Sequence, residues 1–465
     1  MRNKYIVLSD LHLCDVEDNP DGWKAYKGSR YLFDEELAAL IGQLAPEDAR
    51  NKKAERVLLI LNGDIFDFDL VTAVPQNPPW PVSRSEKRRG LKATEEKSAW
   101  KLARVLSCHR RFVEALAAFC VRGHTIVCIM GNHDRELHFL SVQGVFTAAL
   151  EQAAASLGGA MPPGAIRYEP WFYFVRGEIY AEHGQQYDYY SSYHSLLAPT
   201  LRESKQEIIE LPMGNLSNRY LMSSMGFFNP HAGDFILNLF SYVLHWLKHY
   251  AFSRRSLLFN WFFGSLVVVR ELCRRKRVLR LRPQKYETML EEVASRYRIP
   301  VEWVMALDRL GRPPITNRFY RILREFWLDR ALIAAVMIGG TVVLALIPIP
   351  LWVKLMVPLC GFPLLFFIYE YLARGSSIFT IEKEIPGTAR RISELLPVRI
   401  VTFGHTHVPR LIPLARNVWF ADTGGWAPLF AKEDKTRLAP GHRTYLVAAF
   451  EDGEEVSLRL DSWMP

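Results

Sequence analysis

The chain has 465 residues, 49% of them hydrophobic, and a net charge of +9. That length admits two or three domains and a sizeable core, and the basic balance suits an anionic partner: nucleic acid, an acidic membrane surface or a phosphorylated substrate. No Cys-x-x-Cys spacing occurs among the six cysteines, which speaks against a disulfide framework or a thiolate zinc site and favours a reduced, cytoplasmic compartment.

The chain enters its first strand within a few residues, with no cleavable signal pattern. Tyr5 to Ser9 reads as a strand and runs into Asp10-Leu11-His12. Arg56 to Asn62 does the same before Gly63-Asp64-Ile65-Phe66-Asp67. Thr125 to Met130 leads to Gly131-Asn132-His133-Asp134, Glu178 to Ala181 to Glu182-His183-Gly184, and Arg399 to Phe403 to Gly404-His405-Thr406-His407. Five apolar runs of strand length thus end in Asp, Asn or His, usually beside a Gly that suits a tight turn. Ligand sites in sheet proteins tend to lie where strands end.

Between these points lie helices: Asp34 to Leu44, a longer amphipathic helix from Trp100 to Val121, and Val145 to Leu157. Pro75 to Leu91, Pro-rich and then charged, reads as an exposed loop.

Carboxylate, amide oxygen and imidazole suit divalent cations such as Mn²⁺, Fe²⁺ and Zn²⁺. Asp10, His12, Asp64, Asn132, His183, His405 and His407 are too many for one ion and fit two ions sharing a carboxylate. Each motif alone has an ordinary reading: Asp64 and Asp67 as helix caps, His133 and Asp134 as turn residues, His12 as a solvated loop histidine. Of the remaining histidines, His194 and His231 follow the fourth motif and are the ones placed to line a cleft.

The ordered set Asp-x-His, Gly-Asp-x-x-Asp, Gly-Asn-His-Asp, His-Gly and Gly-His-x-His resembles the calcineurin-like metallophosphoesterase superfamily, over roughly residues 1–190 and 395–465. The resemblance implies an α/β fold, a four-layer αββα sandwich of two mixed sheets with a large, mostly helical insertion. It implies a first metal held by Asp10, His12 and His407, a second held by Asn132, His183 and His405, and Asp64 bridging them. His133 would face the leaving group with Asp134 orienting it, and Asp67 would support the site from behind the ligands. Asp10-Leu11-His12-Leu13 and Gly63-Asp64-Ile65-Phe66-Asp67 also look like the bacterial UDP-2,3-diacylglucosamine pyrophosphatases, a family that has Arg where this chain has His133 and lacks so large an insertion. The Arg-Gly that follows Gly-Asp-x-x-Asp in protein Ser/Thr phosphatases is missing here, where Phe68-Asp69 stands.

Some 220 residues separate His183 from His405, so residues 191–395 read as an insertion between core segments 1–190 and 396–465. Phe235 to Phe252 and Leu257 to Val269 are apolar and Trp-containing. Arg254, Arg255, Arg270, Arg274, Arg275, Lys276, Arg277, Arg280 and Arg282 flank them, as in interfacial helices on an anionic membrane. Nucleic-acid binding and a solvated basic helix are the other readings of these arginines. Ala331 to Ile347 is uncharged, and Leu351 to Leu372 is apolar except for Lys354 and Glu370. Pro348-Ile349-Pro350 joins them, so residues 331–372 read as a membrane hairpin, spanning or re-entrant. Arg321, Arg324 and Arg330 before it and Arg374 and Lys383 after it would place both ends on the cytoplasmic side, at the inner membrane if the source is bacterial. Two ligands of one metal on either side of the hairpin require an even number of crossings.

The expected activity is hydrolysis of a phosphate ester or pyrophosphate bond by two divalent ions, with Mn²⁺ foremost, on a phosphorylated lipid or nucleotide-linked substrate. The rivals are a membrane-tethered phosphodiesterase for a soluble substrate such as a cyclic nucleotide, and a non-catalytic scaffold that kept the fold. Ile378 to Leu396 returns to soluble helix character, and Val418 to Ala421, Thr444 to Phe450 and Val456 to Leu460 complete the sheet.

Overall fold

The computed structural model describes residues 3–20, 23–45, 48–50, 55–203, 206–224, 226, 229, 231, 257–276, 285–317, 319–372, 381–430, 438–450 and 456–464. The expected segment 235–252 and residues Arg254, Arg255, Arg277, Arg280, Arg282 and Arg374 lie outside them.

The strands in chain order are β1 (Asn3–Leu8), β2 (Arg56–Asn62), β3 (Thr125–Ile129), β4 (Ile166–Glu169), β5 (Phe172–Val175), β6 (Ile179–Glu182), β7 (Thr200–Glu203), β8 (Gln206–Ile209), β9 (Ile400–Phe403), β10 (Arg410–Ala415), β11 (Val418–Asp422), β12 (Leu429–Phe430), β13 (Leu438–Ala439), β14 (Thr444–Phe450) and β15 (Ser457–Ser462). One sheet has the order β15-β14-β1-β2-β3-β4, the other β10-β11-β9-β6-β5. Both are mixed. β1 to β4 run parallel and β14 antiparallel to β1; β6, β9 and β11 run parallel, with antiparallel edges. Alternate residues of each sheet, Tyr5, Val7, Ile60 and Val127 from the first and Tyr173, Ile179, Ala181 and Ile400 from the second, form one core between them. On the other face of β5, Phe172 is covered by Tyr297, ring centroids 5.1 Å apart, from the helix Tyr286–Tyr297. Helices therefore close the outer layers of an αββα sandwich.

Parallel pairing puts strand C-termini at a common edge. Leu8 pairs with Leu61, Asn62 with Ile129, and Ala181 with Thr402. The five motifs therefore emerge on one side of the sandwich.

Two local expectations need correction. The helix expected from Trp100 to Val121 is two helices, Glu95–Cys108 and Arg110–Val121. His109 breaks it with φ −114° and ψ 48°, because its ring is held at both nitrogens, by Asp34 Oδ2 at 3.0 Å and the Cys14 carbonyl at 2.9 Å. The charged run after Pro75 holds a short helix, Arg84–Arg89. Ser83 and Glu86 cap it reciprocally, and buried Glu86 meets Lys97 Nζ at 2.5 Å.

The chain forms two compact units, Met1–Pro314 with Glu384–Pro465, and Ile315–Lys383. The described residues between 191 and 314 thus fall in the unit that carries the sheets. In the second unit, Leu328–Leu346 is one helix. Leu351–Met356, a π-helical turn at Val357–Gly361 and Phe362–Leu372 follow as a nearly continuous partner. Pro358 and Pro363 shift the bonding locally to the π pattern without ending the helix. Arg330 clamps Glu370 in a bidentate pair, at 2.5 and 2.9 Å, and at the turn Lys354 Nζ donates to the Ala345 carbonyl at 2.9 Å. Both helices are long and apolar enough to cross a membrane, and the apolar stretch of neither is buried.

Candidate metal centre

Beyond the strand ends, main-chain pairing continues into the motifs. Asp10 N–H bonds the Gly63 carbonyl (3.1 Å), His12 N–H that of Asp64 (2.9 Å), Asp67 N–H that of Leu13 (2.8 Å) and Gly404 N–H that of His183 (3.1 Å). This mesh holds an unusual backbone. Ten described non-glycine residues have positive φ, and five of them are Asp10, His12, Asp64, His405 and His407. Strain of roughly 1–3 kcal/mol per residue persists only where the surroundings overdetermine it, which is a property of functional sites. Two motif glycines are needed for space. A Cβ at Gly131 would lie 2.2 Å from Asp64 Oδ1, and one at Gly404 2.5 Å from Asp10 Oδ2.

The side chains converge in two groups, Asp10 with His12 and His407, and Asp64 with His183 and His405, each with ligand atoms within 4.8 Å of one another. In the first, His407 Nε2 is 3.2 Å from both Asp10 Oδ1 and His12 Nε2. In the second, His183 Nε2 is 3.1 Å from Asp64 Oδ2. The same Asp64 oxygen lies 4.0 Å from His12 Nε2, so this carboxylate stands between the groups.

The opposite ring nitrogen of each histidine faces an oxygen, hydrogen-bonded for His183, His405 and His407 and at ion-pair distance for His12. His183 Nδ1 donates to the Asn62 carbonyl (2.9 Å) and His407 Nδ1 to that of His231 (3.2 Å). His405 Nε2 meets Asp188 Oδ2 at 3.1 Å, and His12 Nδ1 lies 3.4 Å from Asp67 Oδ2. An oxygen on one nitrogen sets the tautomer and leaves the other nitrogen's lone pair for a cation. The buried His183 Nε2 and Asn132 Oδ1 have no hydrogen-bond partner, nor do His12 Nδ1, His133 Nδ1, His231 Nε2 and Asp67 Oδ2, which meet one another only at ion-pair distance. Asn132 Nδ2 is bound to Asn215 Oδ1 at 3.2 Å, which leaves the amide oxygen as its free end. These donors fit divalent cations of the oxygen- and imidazole-binding kind.

Electrostatics agree. Burial would raise the Asp10 pKa, but His183 and His407 outweigh it and bring it to about 2. Asp64 and Asp67 are likewise held ionised against burial by the imidazoles around them. Burial opposes charge on His133, yet Asp67 and Asp64 raise its pKa to about 10.

One role differs from expectation. Asp134 does not orient the His133 ring. Its two oxygens accept the main-chain N–H groups of Gly131 (2.7 Å) and Ile65 (2.8 Å), tying the second and third motifs together. Asp67 faces the ring instead, with Oδ2 3.2 Å from His133 Nδ1. Adjacency in sequence suggested Asp134, but successive side chains at a turn diverge.

Three contributors went unassigned in the sequence, Asp188, Asn215 and Asn218, and a fourth, His231, was placed only as able to line a cleft. Asn215 and Asn218 lie on the helix Met213–Tyr220. Besides bonding the Asn132 side chain, Asn215 Nδ2 donates to the Asn132 carbonyl at 2.9 Å and to Asp69 Oδ2 at 2.6 Å. Asn218 Nδ2 lies 3.4 Å from His133 Nε2. His231 stacks on His12, ring centroids 3.6 Å apart. His194, the other histidine after the fourth motif, pairs with Glu210 instead.

A family model described as calcineurin-like phosphoesterase matches residues 4–264. That span takes in the motifs from Asp10 to His183 and stops short of His405 and His407, which the fold returns to the same cluster. No curated protein matches the chain.

Proposed function

The chain belongs to the calcineurin-like phosphoesterase family of metal-dependent phosphoric ester hydrolases, and we propose that it cleaves a phosphate ester or pyrophosphate bond in a lipid or lipid-linked substrate at a membrane. The observation that carries the metal-dependent part is the convergence of Asp10 with His12 and His407, and of Asp64 with His183 and His405, each imidazole having one nitrogen that faces an oxygen. Bound divalent ions, Mn²⁺ in this proposal, would supply charge for the phosphoryl oxygens and acidify a water. Asp10, His12 and His407 would hold one, His183, His405 and Asn132 the other, and Asp64 both. His133 does the protein's own proton work. Asp67 Oδ2 faces Nδ1 at 3.2 Å, so Nε2 is the atom that would present a proton to the leaving oxygen. Asn218 stands beside the same nitrogen.

The lipid part rests on the second unit. Nineteen residues of helix from Leu328 to Leu346 extend about 28 Å, close to the roughly 30 Å of a bilayer's hydrocarbon core. Arg330 and Glu370 pair at one end of the hairpin and Lys354 lies at the other, which suits a segment whose charges stay near the two surfaces. Arg321, Arg324 and Arg330 favour a cytoplasmic base. Within this reading, the likeness of Asp10-Leu11-His12-Leu13 and Gly63-Asp64-Ile65-Phe66-Asp67 to UDP-2,3-diacylglucosamine pyrophosphatases makes a diacylated nucleotide sugar the first substrate to offer.

Purified protein with Mn²⁺ should be given a diacylated UDP-sugar in mixed micelles, a nitrophenyl phosphodiester and a cyclic nucleotide. Highest kcat/KM on the lipid-linked substrate is expected. Higher kcat/KM on the cyclic nucleotide would replace the lipid reading with a soluble-substrate phosphodiesterase. Hydrolysis of none of the three would count against an active phosphoesterase.

A further inference from the structure

Asp67 lies at the junction of the two halves of the site. Its Oδ2 is 3.4 Å from His12 Nδ1, 3.2 Å from His133 Nδ1 and 3.0 Å from His231 Nε2. His12 belongs to the cation-binding half and His133 to the leaving-group half. His231 comes from the chain between the fourth and fifth motifs.

The four atoms lie within 4.8 Å of one another, and such a group invites a third cation. Tautomer logic argues against it. His12 Nε2 faces His407 and Asp10; with its lone pair given to a cation there, Nδ1 must carry the hydrogen. His133 Nδ1 faces the same Asp67 oxygen at 3.2 Å. A cation beside Asp67 would meet the His12 N–H where it needs a lone pair. A carboxylate oxygen that three ring nitrogens face at ion-pair distance, without completed hydrogen bonds, fits the same separations.

His231 is well anchored for that purpose. Its N–H is held by Asn229 Oδ1 at 3.0 Å, and Asn229 Nδ2 donates to the Pro428 carbonyl. Pro428 closely follows Trp426, whose N–H bonds the Asp10 carbonyl at 3.1 Å. The His231 carbonyl holds His407 Nδ1, and the ring lies flat on His12 with an interplanar angle of 26°. The ring is buried beside a cavity of about 40 Å³ that His12, Asp15, His109 and Asn229 also line.

We propose that His231 is a positioning residue, which fixes the Asp67 carboxylate and through it aims His133 at the leaving group. The proposal rests on the phosphoesterase reading and the role given there to His133. Asp67 Oδ1 is already bound to the Leu70 N–H at 2.9 Å, so Oδ2 alone faces the rings. With His231 truncated, the neighbouring cavity extends to Asp67, water competes for Oδ2, and His133 loses its aim while the cation ligands stay in place.

The test compares wild type, His231→Ala, His231→Gln and His133→Ala with Mn²⁺. It measures metal content, and kcat and KM on a nitrophenyl and an alkyl phosphodiester. For His231→Ala, two ions per chain are expected, because the carbonyl that holds His407 is retained. Its kcat on the alkyl ester should fall about 10–100-fold, the scale of a misplaced catalytic group. The loss on the nitrophenyl ester should be smaller, because that leaving group needs little protonation, and KM should hold. His231→Gln, which keeps an N–H donor, should recover most of the alkyl activity. An equal loss on both esters, a missing ion in His231→Ala, three ions in the wild type, or no recovery by Gln would each overturn the proposal. If His133→Ala itself lowers both esters equally, the role of His133 falls first, which separates failure of that reading from failure of this one.

Discussion

Around Asp64 the charged groups are inside: Asp10, Asp64, Asp67 and His183 are each 1% exposed or less. Along the helix Leu328–Leu346 the apolar groups are outside, with Leu332 67% and Leu346 80% exposed. Folded proteins normally sort these classes the other way, so a buried charge cluster and an exposed apolar run are the informative departures. Each region has half of an interaction. Buried carboxylates and imidazoles repay their desolvation only when paired or bound to cations. The first region holds the partners it needs for part of this, in the oxygens tied to each imidazole, and its remaining lone pairs point inward. In the second, Arg330 and Glu370 satisfy each other, and only apolar surface is left over. The contrast teaches that polarity in the wrong place locates a site, while the chemistry of what is left unsatisfied says what kind of partner would complete it.

The sharpest way to break the comparison is Asp64→Ala. Asp64 Oδ2 approaches both groups, and Oδ1 accepts the His133 N–H at 2.7 Å. Loss of both ions and of essentially all activity is expected, and two ions per chain by elemental analysis would refute a shared ligand. Next is His133→Ala, which should keep both ions and lower turnover roughly 10²–10⁴-fold, the usual range for general acid catalysis. A variant with depleted metal would show that the ring belongs to the cation half.

In the second region, Val336→Arg puts a charge at mid-helix, where Val336 is exposed. For a helix that enters a bilayer, as proposed, the cost is about 2.5–3.5 kcal/mol, and a salt-resistant membrane fraction should shift toward the soluble one. A helix that stays in water would lose about 0.5 kcal/mol or less, and unchanged fractionation of a soluble protein would remove the membrane from the proposal. Smallest is Asn215→Ala. Freed of its partner, Asn132 should turn, and Mn²⁺ affinity at the His183 site should weaken about 10–100-fold, as for other groups that orient metal ligands. Calorimetric titration should show one of two binding steps altered; equal weakening of both would mean that Asn215 supports the fold as a whole.

How much of this was legible beforehand followed the range over which each signal acts. A strand that ends in Asp-x-His or Gly-Asn-His-Asp is a local pattern, and its apolar run and turn residues are adjacent in the chain. The five strand ends and the helix Asp34–Leu44 therefore stood in the sequence much as they stand in the structure. The uncharged run from Ala331 is equally local, and length alone marks it as long enough to cross a bilayer.

Other features depend on what arrives from far away. Whether Trp100 to Val121 is one helix or two was decided by Asp34 and Cys14, which take both nitrogens of His109. The choice of Asp67 over Asp134 for the His133 ring depends on how the second motif lies against the third, and main-chain bonds that no residue pattern encodes set that arrangement. Asn215 reaches Asn132 across 83 positions, and the His231 carbonyl reaches His407 across 176. Nothing in its neighbours marks Asn215, because Asn in a short helix is an ordinary residue, and position after the fourth motif marked His231 only together with His194, which pairs elsewhere. The sequence by itself determined which groups were able to bind a cation, since ligand type and strand-end placement are short-range properties. Only the tertiary structure decided which nitrogen of each ring is free to do so, because that follows from the oxygen that close packing brings to the other side.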